Sequence, residues 1–302
     1  MFKNLIVYRL GPQPLPDLPE LRAALEKMRF VPCAPTQPLS LGWVEPRGEP
    51  HAPLVEAVAG HWLMELRFEQ KLLPSSVVRQ RAEERAAQIE QATGRRPGKR
   101  QMKELKEEAT LDLLPQAFTR QASVRAWIDT KARRLMLDAG SSARADAAIT
   151  ALVKAVEGLA PMPLATQESP GAAMAAWLGE GEGPAGFTID RDCELKAPDE
   201  SKAAVRYARH PLDTDEVRAH IAAGKRPTRL ALTWRGRVSF VLHENGQLKR
   251  LALVDDVFEG AATEQDSGFD ADAAIATAEF APLIGDLIEA LGGDVPAPAG
   301  PA

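Results

Sequence analysis

Two kinds of side chain in this sequence have the types and spacing to do chemistry. The first is cationic: the segment "TGRRPGKRQMKELK", residues 93–106, holds Arg95, Arg96, Lys99, Arg100, Lys103 and Lys106 against a single acid, Glu104. Side chains of this kind at this density neutralise phosphates and release their counterions, a chemistry that needs a basic surface and no catalytic motif. The second is anionic: Asp255 and Asp256, followed by Asp270 and Asp272 in "FDADAA", are of the type that holds paired metal ions in nucleases. Capping of the helix that follows is the competing role for an acid in "FDADAA", and the better supported one.

Other motifs fail on context. Gly181, Gly183 and Gly186 spell GxGxxG, but they follow a helical stretch, enclose Pro184 and lead into the extended "FTID", so they read as a loop and not as a dinucleotide turn. Gly224-Lys225 resembles the end of a phosphate-binding loop, yet Ala219 stands where the first glycine belongs and Arg226 where a Ser or Thr is needed. His51, His61, His210, His220 and His243 show no ligand spacing, and Cys33 and Cys193 form no CxxC. No metal, no cofactor and no catalytic residue is expected.

The formal net charge of the 302 residues is -5, but it is unevenly spread. Eleven of the 42 acids and no Lys or Arg lie from Asp255 onward, so 37 basic residues face 31 acidic ones in the rest of the chain. Residues 201–250 alone hold eleven basic residues against four acids. No apolar run approaches the roughly 20 residues of a membrane helix. The opening "MFKNLIVYRL" is too short in apolar residues for a signal peptide, so a cytoplasmic protein is expected.

The elements that must position these groups follow from periodicity. "FKNLIVYRL" reads as a strand, and Asp17 as the N-cap of a helix carrying Leu18, Leu21, Leu25 and Met28. Loops and short strands fill 31–60, and "HWLMELRFEQKLLP" is extended. Ser75 and Ser76 then cap a helix that runs to a turn at Gly94 and Pro97. A second helix, from Lys99 to Leu114, carries Met102, Leu105 and Ala109 on one side and ends at Pro115. Charge nearly all round both helices makes them a projecting hairpin with its basic stretch at the tip. "SVRAWIDT" and "RRLMLDAG" form a strand pair, followed by a helix with Ile149, Leu152, Val153, Val156 and Leu159 on one face.

Residues 162–187 read as a linker or boundary with a short helix near 172–178. Residues 229–258 then read as a three-strand meander turning at Arg235-Gly236 and Asn245-Gly246, the Asn-Gly pair being the stronger signal for positive φ at both turn centres. A last helix carries Phe280, Leu283, Ile284, Leu287, Ile288 and Leu291. Each half thus runs strands then an amphipathic helix, and the class is α+β with mainly antiparallel sheets. The expected units are a central α+β domain (1–74 with 115–165), the helical hairpin tip (75–114), a second α+β base domain (166–294) and a disordered tail (295–302).

The blocks "FKNLIVYRL", "LGWVEP", "LLPSSVV", "LLPQAFTR", "WIDT", "IAAGK", "LALTW", "GQLKRL" and "FDADAAIATAEFAPLIGDLIEALGG" occur in this order along nearly the whole chain. In them the sequence resembles the bacterial recombination-associated RdgC family. The resemblance implies a homodimer closed into a ring whose basic hole encircles duplex DNA with little sequence preference. It further implies a nucleoid protein that restrains the RecA recombinase and takes part in replication-fork repair, with single-stranded DNA a further partner. Carried onto this sequence, "LLPQAFTR" gives Phe118 and Arg120 as dimer contact and DNA lining, and "IAAGK" gives Lys225 as a phosphate contact. In "GQLKRL", Lys249 and Arg250 are adjacent on a strand and so face opposite ways, so at most one lines a given surface, and Lys249 is taken as the DNA-binding candidate. Beside the tip residues Arg95, Arg96, Lys99 and Arg100, these complete the expected interface. A metal-dependent nuclease and a scaffold whose charged hairpin binds an acidic protein are the competing functions.

Overall fold

The computed structural model describes residues 2–254 and 268–295. The β-branched and aromatic run near the start of the chain forms β1 (Asn4–Leu10), which takes the middle of the molecule. Residues 6–9 pair with β6 (Arg134–Asp138), Asn4 and Leu5 with β12 (Leu248–Leu253), and residues 8–10 with the short β7 (Pro161–Pro163). One wing is built from β2 (Leu39–Val44), β3 (Glu56–Val58), β4 (His61–Lys71) and β5 (Thr119–Asp129). The other is built from β8 (Phe187–Lys196), β9 (Ala204–Tyr207), β10 (Arg226–Trp234) and β11 (Val238–His243). The strand order is β2-β4-β5-β6-β1-β12-β11-β10-β8-β9, with β3 added to β4 and β7 to β1. With seven helices among the described residues and a mostly antiparallel sheet, the class is α+β.

Each wing buries an apolar face under helices. On the first, α1 (Leu18–Glu26) and α4 (Ser142–Ala155) cover Tyr8, Leu66, Val124 and Leu135 with Leu21, Leu25, Ala148 and Leu152. On the second, α5 (Pro170–Glu180) and α7 (Phe269–Ala290) cover Leu195, Leu230, Leu232 and Phe240 with Met174, Trp177, Phe280 and Leu283. Phe2, Trp127 and Met136 belong to this second core although β5 and β6 lie in the first wing, so the two cores meet across β1. The segment expected to be a linker therefore contributes a packed helix, with Ala173, Met174 and Leu178 each at most 1% exposed. In α4 the apolar face turns away from Val153, which is 41% exposed, because small residues, Ala145, Ala148 and Ala151, supply the close contact.

Between β4 and β5 the chain leaves the sheet as α2 (Ser75–Thr93) and α3 (Lys99–Leu113) and returns through a 3-10 turn at Leu114–Gln116. The β4/β5 ladder is registered along its whole length, from His61 opposite Asp129 to Lys71 opposite Thr119, so the two helices stand on the far end of these paired strands. Their shared core is thin: Ala82, Ala86, Leu105 and Ala109, flanked by Val78, Ile89 and Met102. Such small side chains bury little apolar area. Arg85 adds ion pairs across the two helices to Glu108 and Asp112.

Local signals were met unevenly. Asp17 and Glu20 form a capping box, with hydrogen bonds of 2.7 and 3.1 Å to each other's backbone N–H. Ser75 and Ser76 do not cap α2: the extended Pro74 is the N-cap and no side chain caps the helix, because the proline delivers the chain straight into the first turn. The hairpin turns exchange roles. Arg235 and Gly236 have φ of 46° and 67°, and Arg237 N–H donates to Trp234 O at 2.8 Å, so this is the turn with two positive-φ centres. Near Asn245 only Gly246 is at positive φ, closing a wider turn with its N–H on His243 O at 2.9 Å.

Candidate nucleic-acid interface

The helical tip is built by glycines. Gly94 ends α2 in the left-handed region at φ 68°, the Thr93 hydroxyl donates to Ile89 O at 2.7 Å and accepts the Arg95 N–H at 3.4 Å, and Gly98 stands at the N-cap of α3 without a side-chain cap, so the backbone reverses over residues 94–98. This places Arg95, Arg96, Lys99 and Arg100 on the solvent side. Arg100 pairs with Glu104 at 3.3 Å and Lys103 with Glu107 at 3.7 Å. Among the described residues, Arg95, Arg96 and Lys99 have no ion-pair partner.

At the other end of these helices, Phe118 is 85% exposed. A core role for this ring is thereby excluded. Its carbonyl accepts the Leu72 N–H at 2.7 Å, which fixes the side chain at the edge where the helices join the sheet. Arg120, two residues on, is exposed and has no ion-pair partner among the described residues.

Lys225 and Lys249 sit elsewhere. Helix α6 (Asp215–Ala222) ends at Gly224, φ 88°, and the Lys225 ammonium lies 2.9 Å from His220 Nδ1. Lys249 donates to Gly140 O at 3.4 Å and lines a cavity of about 460 Å³ with Arg229, Arg206, His243 and Arg250. Sequence alternation would have turned Arg250 away from this cavity. A bulge overrides it: the β11/β12 register shifts between Ser239 and Val241, and Arg250 takes φ 54°, which brings both cations to one side.

Burial, Lys249 and Arg229 together push the His243 imidazole down to about 4, with Arg250 acting the same way and Glu194 against it. The unfolded chain thus binds a proton near pH 6.5 that the native state refuses until about pH 4. The native state should therefore lose stability as pH falls through that window and gain nothing above it. In urea melts at pH 7 and 4.5, His243→Asn should flatten this loss; equal pH dependence in both proteins would assign it to other groups.

The basic run at 201–250 is partly spent internally. Arg206 and Arg229 both pair with Glu194, Arg218 with Asp215, Arg235 with Asp286 and Arg237 with Glu279. Five of its eleven cations are thus neutralised by carboxylates, three of which lie outside the run.

The carboxylates fare similarly. Asp270 is in the first turn of α7 and is not its N-cap, which is Gly268 with no side-chain cap. Both Asp270 oxygens are held by the Arg47 guanidinium, at 2.6 and 3.0 Å, and Arg47 also binds Glu56 at 3.0 Å. Asp272 shares that first turn, and Asp255 and Asp256 lie outside the described residues. Among the described residues no three His, Cys, Asp or Glu side chains cluster as a metal site, and no helix is long and apolar enough to cross a membrane. Gly181 is the left-handed C-cap of α5, and Gly183 and Gly186 lead into β8, so this glycine motif opens no helix.

Comparison with known proteins agrees with this geometry in extent. Residues 1–294 match the model of the family described as "Putative exonuclease, RdgC". The chain is 47% identical over 300 residues to a protein of Dechloromonas aromatica, covering 97% of this chain and 98% of that protein. Proteins of Cupriavidus pinatubonensis and Bordetella pertussis are each 44% identical over 296 residues, at the same coverage. All three bear the name "Recombination-associated protein RdgC". With both the family model and these relatives spanning nearly every residue, the chain belongs to the RdgC family of recombination-associated proteins.

Proposed function

We propose that this protein is a sequence-independent DNA-binding protein whose homodimer closes as a ring around duplex DNA, occupying it against RecA filaments during recombination and replication-fork repair. The observation that carries the reading is a contrast of pairing. In the strand meander Arg229, Arg235 and Arg237 are held by carboxylates, whereas Arg95, Arg96, Lys99 and Arg120 are exposed and without ion-pair partners among the described residues. Unpaired cations are the ones that can exchange counterions for phosphates. In this reading Phe118 is the contact between protomers. Residues 75–114 are the tip and 166–294 the base of a protomer whose central unit is 1–74 with 115–165. Lys225 and Lys249 add phosphate contacts, and the protein works in the nucleoid without chemistry of its own.

The test is affinity for two unrelated duplexes and one single strand across a salt series with magnesium present, the DNA being recovered and sized. Equal duplex affinities that fall steeply with salt, with DNA intact, support the reading. Cut DNA would instead favour the nuclease that the family description names. Arg95→Ala with Arg96→Ala should weaken binding to both duplexes alike and flatten the slope of log K against log salt by roughly one per lost contact. An unchanged slope removes the tip from the interface.

A further inference from the structure

Where the two helices meet the sheet, a cleft of about 530 Å³ opens between Pro38, Lys71 and Leu73 on one side and Ser75, Val78, Arg79, Lys106, Thr110 and Leu114 on the other. Three cations line it and no carboxylate does. This is unusual for these helices, since their other internal cations are matched: Arg81 to Glu84, Arg85 to Glu108 and Asp112, Arg100 to Glu104 and Lys103 to Glu107. Arg79 and Lys106 have no ion-pair partner among the described residues, nor does Lys71. Glu69, two residues before Lys71 on the same strand, is occupied by the Cys33 N–H at 2.7 Å and the Gln121 amide at 2.6 Å.

The backbone adds to this field. Helix α2 begins at the cleft with Pro74 as N-cap, no side-chain cap and no acid in its first turn. The N–H groups of Val77 and Val78 turn back to Pro74 O, while those of Ser75 and Ser76 have no partner among the described residues. The positive end of a 19-residue helix thus opens on the cleft that Lys71, Arg79 and Lys106 line. The Ser75 hydroxyl can donate as well, whereas the Thr110 hydroxyl already donates to Lys106 O at 2.8 Å. Leu73, Val78 and Leu114 give the cleft apolar walls that exclude water from one side of such a contact. Three like charges around one opening repel each other until an anion joins them.

We propose that this cleft is a seat for a phosphate group, held by Lys71, Arg79 and Lys106 and by the first turn of α2. Only the source of that phosphate, the backbone of bound DNA, rests on the function proposed above; the seat itself does not. Because Lys71 belongs to the sheet while Arg79 and Lys106 belong to α2 and α3, one seated phosphate would fasten both helices to the sheet.

The experiment uses the full chain and two probes, inorganic pyrophosphate and a 30-base-pair duplex, with Lys71→Ala/Lys106→Ala compared against Lys27→Ala/Lys154→Ala, which removes the same charge elsewhere. Pyrophosphate should shift the amide resonances of Ser75 and Ser76 saturably in the wild type and the control pair, and about tenfold more weakly in the cleft pair. Duplex affinity should fall about tenfold in the cleft pair and less than about twofold in the control, with a salt slope lower by up to two. Saturable pyrophosphate binding without duplex binding would keep the seat, assign it to a free anion and overturn the DNA reading. Duplex binding equal in the two variants, with no saturable pyrophosphate shift, would overturn the seat and leave the DNA reading intact.

Discussion

Phe118→Ser is expected to break the proposed dimer while leaving the protomer folded. The ring is 85% exposed, so its removal opens no cavity and costs the native state little. Exposed Leu111 and Leu72, at 56% and 46%, and Val77, at 43%, come from the elements that meet near it. A large aromatic amid such surface is the residue type that dominates interfaces, where truncation costs about 2 kcal/mol or more, close to thirtyfold in affinity. Sedimentation should therefore show half the wild-type mass at concentrations where the wild type is dimeric, with the far-UV circular dichroism of a folded protomer and a melting temperature that, unlike the wild type's, does not change with protein concentration. Duplex binding should fall with it, since a ring needs both protomers. Wild-type mass and wild-type affinity together would remove Phe118 from any interface.

The second large effect concerns stability. Gly42 lies in β2, where residues 28–30 cross it: Trp43 N–H donates to Met28 O, and Phe30 N–H to Trp43 O, both at 2.9 Å. A Cβ on Gly42 would meet Phe30 Cα at 2.4 Å and Phe30 N at 2.6 Å, backbone atoms held by those same hydrogen bonds. No side-chain rotation relieves such a clash. Gly42→Ala should cost on the order of 3 kcal/mol, as overpacking against fixed backbone does, and it should also loosen the fully buried Trp43. The midpoint of urea unfolding measures this. A shift as small as that of an exposed alanine substitution would mean that the 28–30 segment can retreat without loss.

Much of the fold was legible because it is written in short-range signals. Asp17 with Glu20, the Gly94 turn and the apolar stripe from Phe280 to Leu291 each depend on neighbours a few residues apart. What was hidden depends on partners far along the chain. The bulge at Arg250 belongs to the pairing of β12 with β11, so period-two alternation sent this residue to the wrong face. The short helix near 172–178 was legible, but its place in a stretch that read as a linker hid its packing: Met174 and Trp177 of Pro170–Glu180 key into the sheet. In the site, the cationic tip was readable from composition alone. The neutralisation of the second run was not, because Arg237 finds Glu279 and Arg235 finds Asp286 across more than 40 residues of chain. The opposite error affected Lys71 and Arg79, which stand in no basic run and acquire a shared meaning only where a strand end meets a helix start.

The place of β1 in the sheet also fixes the order of events in the protein's making. It leaves the ribosome before the other described strands, yet one of its edges takes β6 and the other takes β7 at residues 8–10 and, through Asn4 opposite Lys249, a strand about 245 residues further along. At translation rates of roughly 5–20 residues per second, that second edge waits on the order of tens of seconds for its match. During this interval the Asn4–Leu5 end of a β-branched, aromatic strand lacks its partner on that edge, the condition in which nascent chains join the wrong neighbour. Its completion closes one of the longest loops in the molecule, a slow class of folding step. The join between the two wings is therefore made late, and a chain cut short before β12 would leave the start of β1 without its partner on that edge.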